Sequence, residues 1–186
     1  MAISDAVISN ALAAYLERYP DEAELLSRPV QMLASGENFA SRHSFPMHVT
    51  VGALLVRGGC EILLIEHRAY GITLQPGGHL EPTDTTLSDA AVRELAEETG
   101  LDPAAVSLAD SVPAYVEYGR VPARPAKGEP DHFHLDIGFA FTTDRADVGQ
   151  IQEAEVTGAA WYPLADAERL VGHRIARAVS RPAHAG

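Results

Sequence analysis

With 186 residues, 46% hydrophobic and 22% charged, the chain has a soluble globular composition and the length of one well-buried domain plus an extension. Its formal net charge of −12 argues against a general nucleic-acid binder, which needs a basic footprint, but leaves room for a phosphorylated substrate approached through a metal ion. The one cysteine, Cys60, rules out an internal disulfide and suits a reducing cytoplasm, the location expected here.

The first twenty residues carry Asp5 and Glu17 and lack a basic start, so they read poorly as a leader peptide. No run approaches the ~18 apolar residues of a membrane span. Residues 4 to 19 instead read as an amphipathic helix. Ser4 can cap it, and Val7, Ile8, Ala11, Leu12, Tyr15 and Leu16 recur at helical spacing. A second helical stretch, Asp21 to Leu33, is interrupted near Pro29. The plain expectation is a helical pair packed on the main domain. The sharper one is a dimerisation element, hence a homodimer, or a substrate lid. Ala34 to Pro46, with Gly36, Asn38 and its serines, reads as a linker. The expected division is an extension and linker at 1–46, a domain at 47–179 and a frayed tail at 180–186.

From Met47 the texture changes. Val49, Val51, Ala53, Leu54, Leu55 and Val56 form a strand-like run, Arg57-Gly58-Gly59 a turn, and Cys60 to His67 a second strand, together a hairpin. A short strand, Ile72 to Gln75, leads into Gly77-Gly78. Val112 to Tyr118 and His132 to Thr143 read as strands around a Gly/Pro-rich loop, Gly119 to Pro130. A last strand lies in Val156 to Leu164 around Trp161, and Leu164 to Val179 reads as a helix. Strands interleaved with a few helices predict an α/β or α+β sandwich.

Thr86 to Thr99 carries the chemistry. Thr85 or Thr86 can cap a helix there, Asp89 stands in capping-box position, and Gly100 suits its C-terminal stop. Leu87, Ala91 and Leu95 form one apolar stripe. Glu94, Glu97 and Glu98 stand at i, i+3 and i+4, so their carboxylates cluster on an adjoining face. Such a cluster repels itself unless cations compensate, and Arg93 offsets one charge. Oxygen ligands in this arrangement suit Mg²⁺ or Mn²⁺ bridged to substrate phosphate. Taken alone, the cluster is a solvated acidic face. The glycine pair before it, Arg93 beside it and Gly100-Leu101 after it make the ensemble far more specific.

That ensemble resembles the Nudix box, the signature of the Nudix hydrolases: Gly, five residues, Glu, seven residues, then Arg-Glu-aliphatic-x-Glu-Glu-x-Gly-aliphatic. Arg93-Glu94-Leu95, Glu97-Glu98 and Gly100-Leu101 match residue for residue. The first half departs: Asp84 stands where the early Glu belongs, and one extra residue separates it from Arg93. The resemblance implies an α/β/α sandwich with a mixed sheet, here with an N-terminal helical extension. It also implies hydrolysis of a diphosphate linkage in a nucleoside diphosphate linked to another moiety, or a related small molecule, with Mg²⁺ or Mn²⁺. By the same resemblance, Gly77 (through its carbonyl), Glu94, Glu97 and Glu98 are metal ligands, with Glu94 a ligand or the general base. Arg93 holds a glutamate in place. A further acid or base in the loop before the last strand would be Glu155, with Glu153 second.

His132 and His134 alternate on one strand and with Asp136 can line a polar pocket; substrate contact suits them better than metal ligation. His79 follows the glycine pair and can reach phosphate. Tyr70 and Tyr118 are further candidates for substrate contact. Two competing functions remain: a catalytically silent ligand-binding or regulatory module of this fold, and an isoprenoid diphosphate isomerase. The intact glutamate set speaks against the first. The isomerase needs a pocket cysteine, and Cys60 sits poorly for that.

Overall fold

The computed structural model describes residues 3–68, 71–125, 128–144, 148–149, 151 and 156–179. Its helices are α1 (Asp5–Arg18), α2 (Ser27–Leu33), α3 (Leu87–Thr99) and α4 (Leu164–Val171). Its strands are β1 (Met47–Arg57), β2 (Glu61–His67), β3 (Ile72–Leu74), β4 (Gly77–His79), β5 (Ser107–Leu108), β6 (Tyr115–Val121), β7 (His132–Thr143) and β8 (Val156–Pro163).

β1 is the spine, buried at every position but its last, as a strand covered on both faces must be. It runs parallel to β7 from Met47 opposite Phe133 to Arg57 opposite Thr143. The other pairings are antiparallel, so the sheet is mixed. Its path runs β3-β2-β1-β7-β5, with β4 also on β1, β6 on β7 and β8 on β2. The predicted hairpin is present, with Gly58 and Gly59 both at positive φ in its turn.

Side-chain alternation divides the core between the two faces. Val49, Val51, Ala53 and Leu55 of β1, with Leu135, Ile137, Phe139 and Phe141 of β7, pack against α3 and the N-terminal helices. Leu54, Val56 and Ala140 face Ala167, Ile175 and Ala178. The mixed sheet thus carries helical layers on both faces.

The extension shares this core. Ile8, Leu12, Tyr15, Leu26, Leu33 and Phe39 are buried in the same cluster as β1. Arg177, near the chain's other end, bonds the Tyr15 hydroxyl and Glu22. The expected linker is packed as well: the Asp5 carboxylate accepts the N–H groups of Asn38 and Phe39, and the Phe39 carbonyl accepts that of Val49. The predicted helix from Leu164 to Val179 breaks at Gly172, whose φ of 112° ends α4, and resumes as a 3₁₀ segment at His173–Ala178.

Tyr115 lies across two glycines. Gly52 and Gly138 are opposite one another on β1 and β7, and Tyr115 is opposite Gly138 on β6. A Cβ on Gly138 would stand 1.8 Å from the Tyr115 ring, and one on Gly52 would stand 2.0 Å from its hydroxyl. The ring is fully buried there, so it has nowhere to retreat. Gly138→Ala is therefore expected to cost at least ~3 kcal/mol in urea denaturation, the upper range for overpacking, and the loss should shrink in a Tyr115→Ala background.

Candidate active site

Helix α3 starts and stops as its residues demand. The Thr86 hydroxyl accepts the Asp89 N–H at 3.0 Å, and the Asp89 carboxylate in turn accepts the Thr85 hydroxyl. Gly100 ends the helix at a φ of 67°. Leu87, Ala91 and Leu95 are buried, and Ala90 is too, which leaves room beside the acidic face.

That face is half inside the protein. Glu98 is 1% exposed and Glu94 is 9% exposed, while Glu97 is largely open to solvent. The Glu98 carboxylate accepts the Gly77 N–H at 2.9 Å, fixing the glycine pair against the helix. A Cβ on Gly78 would lie 2.6 Å from the Glu94 carboxyl atoms, and one on Gly77 would lie 2.3 Å from the Val51 carbonyl. Gly77 therefore needs glycine for space against the backbone, and a side chain at Gly78 would displace the Glu94 carboxylate.

Arg93 ties the cluster together with five hydrogen bonds. Its fork takes both oxygens of Asp84 at 3.0 Å, and it also bonds Glu94, Glu97 and the His79 carbonyl. Burial alone would lower its pKa, but the Asp84 hydrogen bonds and the Glu94 charge outweigh that and raise it. Asp84 is itself buried and accepts the Glu81 N–H at 2.7 Å. The longer loop thus delivers a shorter acid to the guanidinium, and the departure from the Nudix pattern is closed by Asp84 itself. Three carboxylates, Asp84, Glu94 and Glu97, share one guanidinium in these contacts, with the buried Glu98 beside them. Such a donor set, all hard oxygens with excess negative charge, fits Mg²⁺ or Mn²⁺.

A cleft of about 540 Å³ opens beside this face. Gly78, His79, Arg93, Glu94 and Glu97 line it on one side, and Asn38, Ser41, Arg42 and His43 of the former linker line the other. Sequence reasoning missed that second wall. Its one signal is the polar run Ser41-Arg42-His43 directly before a buried strand.

His79 also joins a histidine cluster. His48 stands opposite His134 on the parallel pair, and His79 stands opposite Thr50, so all three rings share one sheet face. His48 and His79 meet at 3.2 Å through their Nε2 atoms, and His132 and His134 meet at 3.1 Å. Burial and the neighbouring imidazoles hold His134 down to about 3, and burial lowers His48 as well. Farther along the face, Asp136 accepts the Thr50 and Tyr115 hydroxyls at 3.0 and 2.8 Å. Burial raises its pKa, although those hydrogen bonds pull the other way.

The structure therefore brings Gly77, His79, Arg93, Glu94, Glu97 and Glu98 together, with His132 and His134 adjoining through His48. Tyr118 is not among them. Alternation on β6 turns it away from the histidines, and it stacks on Phe133 at 4.8 Å, outside the cleft lining, with its buried hydroxyl unbonded among the described residues. Cys60 sits exposed in the β1–β2 turn, outside the cleft lining. Tyr70, Glu153 and Glu155 lie outside the described residues.

A sheet with helices on both faces and a glutamate helix braced on a glycine pair define a Nudix-type protein. The NUDIX domain family model matches residues 46–181, and the chain belongs to that family, the Nudix hydrolase superfamily. Among curated relatives, phosphatase NudJ of Escherichia coli K12 is 49% identical over 59 residues. That match spans 31% of this chain and 37% of the relative. Among solved structures, a C. elegans Ap4A hydrolase binary complex aligns with a TM-score of 0.55 at 19% identity, covering 69% of this chain and 93% of the other. The E. coli dihydroneopterin triphosphate pyrophosphohydrolase aligns at 0.50 with 15% identity, over 70% of this chain and 90% of that one. These two likenesses are likenesses of fold.

Proposed function

We propose that the protein hydrolyses a diphosphate linkage in a small molecule, either a nucleoside diphosphate joined to another moiety or a related compound, using Mg²⁺ or Mn²⁺ in the cytoplasm. The observation that carries this reading is the pair of buried carboxylates, Glu94 and Glu98, set against Gly77-Gly78 at the cleft with Glu97 beside them. A binding module has no use for a self-repelling buried cluster. The curated match to a phosphatase spans 59 residues, 31% of this chain, so it supports the reaction class and leaves the substrate open.

Glu94, Glu97, Glu98 and the Gly77 carbonyl would hold the cation. Once bound, the cation offsets diphosphate charge and makes a coordinated water more acidic. The remaining work falls to the chain. Arg93 fixes the orientation of Glu94 and Glu97. Glu94 lines the cleft and Glu98 does not, so we assign Glu94 as the carboxylate that takes the proton from the attacking water. The water oxygen bonds to one phosphorus, the bridging P–O bond breaks, and the second phosphate leaves. Glu155, before β8, is the second candidate for the proton. Arg42 and His43 face the substrate from the opposite wall.

The test is a panel of nucleotide sugars, dinucleoside polyphosphates, coenzymes and modified nucleotides, run with each metal and read by mass spectrometry. Cleavage at a bridging phosphate oxygen in at least one compound is expected. Silence across the panel with both ions would sink the assignment and leave a ligand-binding module.

A further inference from the structure

We propose that His48, His79 and His134 form a second metal site, for a borderline ion of the zinc class, on the sheet face that alternation turns away from α3 and its glutamates. Among the described residues, one ligand nitrogen from each of these three rings lies within 4.8 Å of the others. The His48 and His79 Nε2 atoms are already 3.2 Å apart. Two imidazoles on one tetrahedral Zn²⁺, with Zn–N near 2.0–2.1 Å, sit roughly 3.3 Å apart, so this pair needs almost no movement.

The surrounding bonds prepare the donors. A carbonyl only accepts, so His48 Nδ1 must donate to the Ser44 carbonyl at 3.2 Å, which leaves the Nε2 lone pair of the neutral ring pointing into the cluster. His132 Nδ1 donates likewise to the Pro130 carbonyl at 2.7 Å, and its Nε2 faces His134 Nε2 at 3.1 Å. A ligating histidine anchored by its other nitrogen to a carbonyl is the usual support for a metal site. The Phe45 ring stands edge-on to His48 and His132, at 5.9 and 5.3 Å between centroids, and shields this end of the cluster. Imidazole donors favour Zn²⁺, Ni²⁺ or Cu²⁺ over Mg²⁺, so the two sites sort ions by ligand chemistry. None of the glutamates takes part, so the proposal stands whether or not they drive hydrolysis.

The alternative is a neutral hydrogen-bonded network with no affinity for metal. Chelator-stripped full-length protein, kept in excess Mg²⁺ to fill hard oxygen sites, should be titrated with Zn²⁺ by calorimetry and with Co²⁺ by visible absorption. Binding of one equivalent is expected, with the absorption of imidazole-ligated Co²⁺ and competition by Zn²⁺. Loss of a ligand should cost at least as much as loss of a supporting contact, so His48→Gln should weaken binding by about 10-fold or more. His79→Gln, at a less buried position, serves as a second ligand variant should the first fold poorly. Glu98→Gln should leave the Co²⁺ spectrum unchanged. No binding under these conditions, binding that survives both histidine changes, or binding lost in Glu98→Gln would each overturn the proposal.

Discussion

Glu98→Gln is expected to lower metal-dependent turnover by about 10³-fold, ~4 kcal/mol of transition-state stabilisation, while leaving the fold in place. The two halves of that expectation have separate causes. Glutamine keeps an oxygen that can accept the Gly77 N–H, the bond through which Glu98 holds the glycine pair at 2.9 Å. What it loses is the negative charge, and at 1% exposure no water replaces that charge. Removing one of three neighbouring carboxylates also relieves repulsion, so metal-free Glu98→Gln should melt no lower than metal-free wild type. Mg²⁺ should raise the melting temperature of wild type, because it binds only the folded state, and should raise that of the variant much less. Steady-state kinetics and melting with and without Mg²⁺ check both halves. Near-normal turnover in Glu98→Gln would remove Glu98 from the site.

Arg93→Met should have the largest effect on stability, a loss of about 3–5 kcal/mol by chemical denaturation. The guanidinium supplies five hydrogen bonds, and its removal leaves the Asp84 carboxylate, 5% exposed, without the fork that now takes both its oxygens. Arg93→Lys should also cost stability, since a single ammonium cannot span Asp84, Glu94, Glu97 and the His79 carbonyl at once. Adding Asp84→Asn to Arg93→Met should recover part of the loss, because the stranded charge is then gone. A loss under about 1 kcal/mol in Arg93→Met would mean that Asp84 and Arg93 do not close the loop.

Helix α3 was legible because its signals are local. A threonine cap, a 3.6-residue apolar stripe and a terminal glycine need no knowledge of the remaining chain, and all three stand where the sequence put them. The hairpin was legible for the same reason. The loop at Asp84 was not, because whether a shorter acid on a longer loop reaches Arg93 depends on a path that spacing alone does not define. The histidine cluster was half legible. Alternation put His132 and His134 on one face, but their meeting with His48 and His79 comes from parallel pairing of β1 with β7 and antiparallel pairing with β4, both non-local. The polar stretch before β1 read as a linker because composition describes solubility and not docking. Asp5, more than thirty residues away, is what pins Asn38 and Phe39 and turns that stretch into a wall of the cleft.

The most direct test of the glutamate helix as a cation-dependent hydrolytic centre is the rate of diphosphate cleavage by chelator-stripped wild-type protein as Mg²⁺ or Mn²⁺ is added back. The rate should be negligible without a divalent ion, rise to saturation with either one, and fail to rise in Glu98→Gln. A rate unchanged by stripping, or restored equally well in Glu98→Gln, would contradict it.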